Sequence, residues 1–120
     1  IRALKGFSDI FILCFFDVLV KIRFLKKDYG DGTKSLLEDF LADAVMDQGI
    51  DGEYTARANN YLGQFHFKIV DSLLSNDAIR KHLRLSEHYY KESLRIKTKI
   101  NGPNDPISLK QVLTISLISM

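Results

Sequence analysis

The sequence predicts an all-α protein in which antiparallel helix pairs stack as a short solenoid. Apolar residues recur every three or four positions along most of the chain, its only prolines are Pro103 and Pro106, and glycines separate the periodic segments. This combination is typical of amphipathic helices that end at glycine. Short gaps between helices imply antiparallel neighbours. A closed five-helix bundle satisfies the same pattern and remains the alternative architecture.

The first predicted helix covers residues 3–27, and its segment 7–20 is the most apolar part of the chain. We expect this helix to be buried. A membrane anchor is the alternative for the same residues. However, about 20 apolar residues are needed to cross a bilayer, whereas this segment is shorter and is interrupted by Asp9 and Asp17. Membrane binding is therefore not the preferred interpretation.

The second predicted helix covers residues 34–48, with Thr33 as its N-cap and Gly49 in the left-handed position that ends it. The third predicted helix covers residues 53–74. Apolar spacing predicts the residues that face inward in the two helices, namely Leu36, Leu37, Phe40, Leu41, Ala44 and Val45 in the second, and Tyr54, Ala58, Tyr61, Leu62, Phe65, Ile69 and Leu73 in the third.

The fourth predicted helix covers residues 78–100, with Asn76 or Asp77 as its N-cap and Gly102 as the residue that ends it. The same helical spacing predicts which of its apolar side chains face the rest of the protein. These inward-facing residues are Ile79, Leu83, Tyr90, Leu94 and Ile100.

A fifth helix is predicted to begin at Asp105-Pro106, because aspartate followed by proline is typical of an N-cap and the first helical position. We expect residues 1–120 to form a single helical-repeat domain. The chain begins with Ile1 and ends on the apolar run 112–120. Both features favour a piece of a longer helical array, since such arrays need neighbouring repeats to cover their apolar faces.

Two segments have a recognisable pattern. Residues 90–106 read YKESLRIKTKINGPNDP, and residues 59–66 read NNYLGQFH. The first segment resembles the second helix and inter-repeat turn of tetratricopeptide repeats of the kinesin-light-chain-like kind. The second segment is similar to the leucine–glycine step of the first helix of such a repeat, where a small residue lets the paired helix approach. The resemblance covers residues 55–120.

Within the resemblance, Ser86, Tyr90 and Ser93 fit the family's second-helix pattern of a small, an aromatic and a small residue. Gly63 and Ser86 lie farther apart than in the standard repeat of about 34 residues. Residues 70–82 are therefore expected to be an insertion that lengthens the helical hairpin.

The resemblance implies a protein–protein interaction scaffold that holds a peptide or partner protein in a groove lined by the first helices of its repeats. Arg57, Asn60, Gln64 and Lys68 lie on one helix face by their spacing. By resemblance, Asn60 and Gln64 would hydrogen-bond a peptide backbone, while Arg57 and Lys68 would attract carboxylates. Lys110 of the fifth helix would lie beside them, so an acidic peptide is the expected partner. The alternative is an ordinary solvent-facing helix surface.

Charge is unevenly distributed, with acidic residues concentrated in residues 28–53 and basic residues in residues 80–99. The basic segment offers an alternative function, a helical regulatory or nucleic-acid-binding domain that uses the fourth helix. We favour an acidic helix beside a basic one, because the net charge is only +2. A further alternative is a non-catalytic helical domain of a larger enzyme.

No catalytic or metal-binding motif is recognisable. His66, His82 and His88 do not form a spacing typical of zinc ligands, and neither a nucleophile elbow nor a phosphate-binding glycine loop occurs. We expect no enzyme activity, cofactor or small-molecule substrate, and we expect His66 to lie at a helix–helix interface. The single cysteine, Cys14, favours a reducing compartment such as the cytoplasm.

Overall fold

The computed structural model describes residues 9–102 together with residues 113, 115 and 116, and every regular element in this part of the chain is helical. The helices are α1 (Asp9–Leu25), α2 (Asp31–Gln48), α3 (Glu53–Ile69) and α4 (Asn76–Asn101), with a 3-10 turn, Val70–Ser72, after α3. The prediction of an all-α fold is therefore confirmed. The predicted start of the fifth helix lies outside the described residues. Residues 113, 115 and 116, which fall within the predicted helix, are helical.

Glycine ends two helices as predicted, whereas the predicted cap of α2 is wrong. Gly49 and Gly102 have φ angles of +83° and +86°, and their N–H groups donate to carbonyl oxygens one turn earlier. Helix α2 begins at Asp31, two residues before the predicted cap. Thr33 is therefore inside the helix and fully buried, because the chain enters α2 through the extended backbone of Gly30.

The loop between α3 and α4 begins and ends at serine side chains. Helix α3 stops at Ile69 and not at the predicted residue 74, and the hydroxyl of Ser72 donates to the Ile69 carbonyl at 2.8 Å. Ser75 caps α4 by accepting a hydrogen bond from the Ala78 N–H. The predicted caps, Asn76 and Asp77, are instead the first residues of the helix.

The main hydrophobic core lies between α1, α2 and α3. The rings of Phe16 and Phe40 stack at its centre, 5.5 Å apart and nearly parallel. Apolar contacts of this kind supply most of the favourable free energy of folding. The buried core residues are Ile12, Leu13, Phe16, Val20, Leu37, Phe40, Ala44, Ala58, Leu62 and Phe65.

Helices α3 and α4 approach closely at Gly63. A Cβ atom at this position would lie 2.9 Å from the ring of Tyr90, which is closer than side chains normally pack. The hydroxyl of Ser86 donates a 2.8 Å hydrogen bond to the Gly63 carbonyl. Ser86 and Ser93 are both fully buried. The expectation that a small residue at position 63 allows a close helix pair is confirmed.

The inward face of α4 differs in part from the predicted one, although Tyr90 is buried as expected. Ile100 was expected to face inward, yet 47% of it is exposed, and Leu94 is only half-buried. Ile96 is fully buried instead. The apolar spacing was misleading because two of the buried positions on this helix are serines, which an apolar stripe does not include.

Helix α1 is buried on one face only, in contrast to the expectation of a buried helix. Its core-facing residues include Leu13 and Phe16, while an opposite row of apolar side chains remains exposed. Among the described residues, no helix combines the length and apolarity needed to cross a membrane.

Candidate functional site

Helices α1 and α3 lie side by side and run in the same direction. Cys14 Sγ lies 2.9 Å from Tyr54 Oη. Asp17 contacts Tyr61, and the ring of Phe24 meets the ring of Tyr61 edge-on at 5.8 Å. Because residue numbers rise together along both helices, the two helices are parallel. We call this line of side-chain contacts the α1–α3 seam.

Asp17 is the polar centre of the α1–α3 seam. It is only 5% exposed and accepts a 2.6 Å hydrogen bond from the hydroxyl of Tyr61. Lys21 lies 3.0 Å away and Arg57 lies 3.6 Å away. Burial and the neighbouring carboxylate raise the pKa of Tyr61, so its hydroxyl stays protonated and can donate. Sequence reasoning treated Asp17 only as an interruption of an apolar segment, although Lys21 one turn later was a signal of pairing.

Arg57, a predicted groove residue, is already engaged within the protein. Its guanidinium contacts Asp17 of α1 and Glu53 of its own helix, at 3.6 Å and 3.5 Å. It also lies over the ring of Tyr54, 5.1 Å from the ring centre, a distance at which a cation–π attraction is expected. These contacts hold Arg57 against the α1–α3 seam.

Gln64, a second predicted groove residue, borders a shallow hollow between α1 and α3. The hollow has a volume of about 390 Å³. Aromatic and aliphatic side chains form most of its wall, and the polar ends of two residues border it. Its lining residues are Lys21, Phe24, Leu25, Tyr61 and Gln64.

The other predicted groove residues lie on α3 or outside the described residues. Asn60 is half-buried and lies one turn before Gln64, while Lys68 is exposed one turn after it. Lys110 lies outside the described residues. The structure therefore brings Arg57 and Gln64 to the α1–α3 seam and leaves Lys68 exposed on the same helix.

His66 lies in the α3–α4 interface as predicted and is 3% exposed, but its partner was not predicted. Its Nδ1 lies 2.9 Å from Nδ1 of His82, so one ring donates to the other. The ring of Tyr89 stacks on His66 at 5.6 Å. Spacing along the chain does not reveal this pair, because the contact between His66 and His82 joins two different helices.

Burial lowers the pKa of His66 to about 4, and the positive charges of His82, Lys34 and Lys81 add to the effect. The pKa of His82 is lowered for the same reasons, burial first. Both rings are therefore neutral near pH 7, which suits their mutual hydrogen bond. In the described part of the chain, no three histidine, cysteine, aspartate or glutamate side chains could hold a metal ion together.

The acidic and basic segments meet at Asp51. Its carboxylate contacts Arg95 at 2.8 Å and Lys99 at 2.5 Å. These two hydrogen bonds, that of Lys99 first, lower the pKa of Asp51. Lys91 pairs with Glu87 on its own helix. Asp51 lies in the loop between α2 and α3, so the two charged segments meet at this residue, whereas the acidic helix α2 is not packed closely against α4.

The remaining exposed cations of α4 lie in its N-terminal half, whereas Lys97, near the other end, is buried. A second hollow, of about 490 Å³, is lined by Asp77, Arg80, Lys81, Arg84 and Leu85. Within the described residues, none of its three basic side chains forms a recorded ion pair. The basic surface of α4 is therefore smaller than the basic segment of the sequence suggests.

No protein-family model matches the chain, and no curated protein or solved structure matches it either.

Proposed function

We propose that the chain is a protein–protein interaction scaffold of the tetratricopeptide kind, which binds an extended acidic peptide along the α1–α3 seam. Support for the repeat architecture comes from the packing of each helix on the next and from the parallel course of α1 and α3. The close approach of Gly63 to Tyr90 fits the leucine–glycine step of such repeats. The single cysteine supports a cytoplasmic location as part of the proposal.

The observation that carries the proposed function is the hollow beside Gln64. Apolar and aromatic walls with a few polar groups are typical of ligand-binding sites. Phe24 and Tyr61 offer apolar surface, and the Gln64 amide is both a donor and an acceptor for a peptide backbone. A ligand that lies along the seam would thereby gain apolar contact and orientation at the same place.

The expected preference for acidic peptides rests on Lys68. This side chain is exposed one turn beyond Gln64, and no ion pair with another described residue is recorded for it. A carboxylate of the peptide would form an ion pair with it at the surface, worth about 0.2–1 kcal/mol. Asn60, on the same helix, would add a backbone contact. Arg57 would act mainly by holding Asp17 and the seam in place.

The test begins with selection of peptides from a random library on the immobilised chain. Affinities of a selected peptide are then measured by fluorescence anisotropy for the wild type and for the Gln64→Ala/Lys68→Ala variant. We expect at least a tenfold weaker affinity, because loss of about 1.4 kcal/mol changes a dissociation constant tenfold. The melting temperature should hardly change, since neither side chain belongs to the core.

The matched control is Arg80→Ala/Arg84→Ala, which removes two exposed cations of α4, neither of which lines the hollow. Its affinity should stay within about twofold of the wild type. Equal weakening in both variants would reveal non-specific charge attraction, and unchanged affinity in the Gln64→Ala/Lys68→Ala variant would exclude binding at the α1–α3 seam.

A second candidate function, nucleic-acid binding, is supported by the hollow lined by Arg80, Lys81 and Arg84. Three phosphate contacts predict that the logarithm of the binding constant falls with the logarithm of salt concentration with a slope of about −3. Titration of a labelled duplex over a range of salt concentrations tests this candidate. A slope near zero, or equal binding by Arg80→Ala/Arg84→Ala, would exclude it.

A further inference from the structure

Five apolar side chains of α1 form an exposed row on the side of the helix away from the core. Their exposed fractions range from 42% at Ile22 to 84% at Leu25. They follow one another at steps of four, three, four and three positions. We call this row the α1 stripe; it consists of Phe11, Phe15, Val18, Ile22 and Leu25. A row of this kind costs free energy when it faces water.

We propose that the α1 stripe binds a second copy of this chain, with the two α1 helices antiparallel about a two-fold axis at Val18. Alternating steps of three and four are the spacing by which one helix packs into another in a left-handed coil. The partner of the α1 stripe should therefore be a helix with the same spacing, and the stripe itself is such a helix surface.

The α1 stripe is complementary to itself in the antiparallel orientation. A two-fold axis at Val18 places Phe11 opposite Leu25 of the other copy, and it places Phe15 within one residue of Ile22, about 1.5 Å along the helix axis. Each phenylalanine thus meets an aliphatic side chain, and the smallest residue of the stripe lies at the axis where the two helices cross. This is the symmetry of an isologous dimer, in which one surface serves both partners.

The charges of α1 favour the same orientation. Lys21 lies in its C-terminal half, and Lys26 and Lys27 directly follow its last residue. All three are exposed, and no ion pair with another described residue is recorded for Lys26 or Lys27. A parallel pair of helices would bring these cations together. In the antiparallel pair, the two copies of Lys26 are about 24 Å apart along the axis, from a rise of 1.5 Å per residue. That separation exceeds the Debye length of about 8 Å.

The contact surface is small, so the dimer should be weak. The α1 stripe extends over about 21 Å of helix, and single-helix contacts fall below the usual size of a stable interface. A dissociation constant on the order of 10 μM is expected. Leu25, at one end of the α1 stripe, also lines the hollow beside Gln64, whereas the other four stripe residues do not, so dimerisation is tested at Val18, away from the proposed peptide site.

The first test is sedimentation equilibrium of the full chain between about 5 and 500 μM. We expect a monomer–dimer equilibrium for the wild type. Val18→Asp should be monomeric over the whole range, because it places two carboxylates against each other at the axis. The matched control is Leu74→Asp, at a fully exposed position outside the stripe, which should dimerise like the wild type. Circular dichroism checks that both variants keep the helical fold.

The second test determines the orientation by disulfide cross-linking in a Cys14→Ser background with copper–phenanthroline as oxidant. Val18→Cys should cross-link efficiently, because the two copies of residue 18 meet at the axis. Phe11→Cys should not, since its copies are about 21 Å apart in the antiparallel pair. Efficient cross-linking of Phe11→Cys, together with that of Val18→Cys, would establish a parallel pair and overturn the orientation.

Three further outcomes would overturn the proposal itself. The first is a wild-type chain that stays monomeric at about 500 μM. The second is a Val18→Asp variant that dimerises as strongly as the Leu74→Asp control. The third is a monomeric wild type that co-sediments with anionic lipid vesicles through the α1 stripe, which would assign the stripe to a membrane surface.

Discussion

The hydroxyl of Tyr61 donates a 2.6 Å hydrogen bond to the buried carboxylate of Asp17, and this contact joins α3 to α1 across 44 positions of sequence. Asp17 lies beside an apolar core, where an unpaired carboxylate would be costly. Tyr61, Lys21 and Arg57 together provide its partners. The geometry of the proposed peptide-binding surface therefore depends on one satisfied acidic group.

Tyr61→Phe should destabilise the protein by about 1.5–3 kcal/mol, the range for a hydrogen bond to a charged group. The phenyl ring keeps the apolar contacts but leaves Asp17 with one partner fewer. Urea unfolding of the variant and wild type measures the difference. Tyr29→Phe is the control, since no hydrogen bond to another described residue is recorded for the Tyr29 hydroxyl, and it should change stability by less than about 0.5 kcal/mol. Equal effects at both positions would contradict the importance of the Asp17 contact.

Gly63→Ala should destabilise the protein although alanine is the better helix former. The new Cβ would lie 2.9 Å from the Tyr90 ring, and overpacking costs about 1–3 kcal/mol. Improved helix propensity offsets up to about 1 kcal/mol of this cost. Gly32→Ala is the control, because its Cβ would meet only the flexible end of Arg23, and it should be neutral or stabilising. A stabilised Gly63→Ala variant would show that α3 and α4 are not held at this distance.

Acid should weaken the protein through the His66–His82 pair. The pKa of His66 falls from 6.5 to about 4 on folding, so the unfolded chain binds the proton more tightly. The stabilising contribution of the neutral ring is complete above pH 6.5 and is lost progressively as the pH falls towards 4. Between pH 7 and pH 5 the loss should be at most about 2 kcal/mol.

Urea unfolding at pH 7 and pH 5 measures this loss. His66→Phe keeps an aromatic ring against Tyr89 but cannot be protonated, so its stability should depend less on pH over this interval. His88→Phe, at an exposed ring, should behave like the wild type. A His66→Phe variant with the wild-type acid sensitivity would place the titrating group elsewhere.

The helices could be predicted from the sequence because their signals are local. Periodic apolar residues and the glycines at 49 and 102 determined where most helices lie and where two of them end. The small residue at position 63 also signalled the close approach of α4. The predictions of Thr33, Asn76 and Asp77 as N-caps were wrong, because several adjacent polar residues can cap a helix and a local pattern does not choose between them.

The candidate site was less predictable, because its contacts join residues on different helices. Asp17 looked like a defect in an apolar segment, and its pairing with Tyr61 depends on the parallel course of α1 and α3. The hydrogen bond between His66 and His82 has the same origin. Helical spacing places residues on one face of their own helix, but it does not say which helix lies opposite.

Arg57 and Lys68, which the sequence grouped together, should have different roles. Arg57 contacts Asp17 and Glu53, so Arg57→Ala should lower stability by about 1 kcal/mol and change the affinity for a selected acidic peptide little. Lys68 is exposed, so Lys68→Ala should leave the free energy of unfolding within about 0.5 kcal/mol of the wild-type value. The same variant should bind the peptide severalfold more weakly. Urea unfolding and fluorescence anisotropy on the same two variants measure both quantities. Reversed effects would mean that Arg57 leaves its partners to bind the peptide, and that the α1–α3 seam rearranges when the ligand binds.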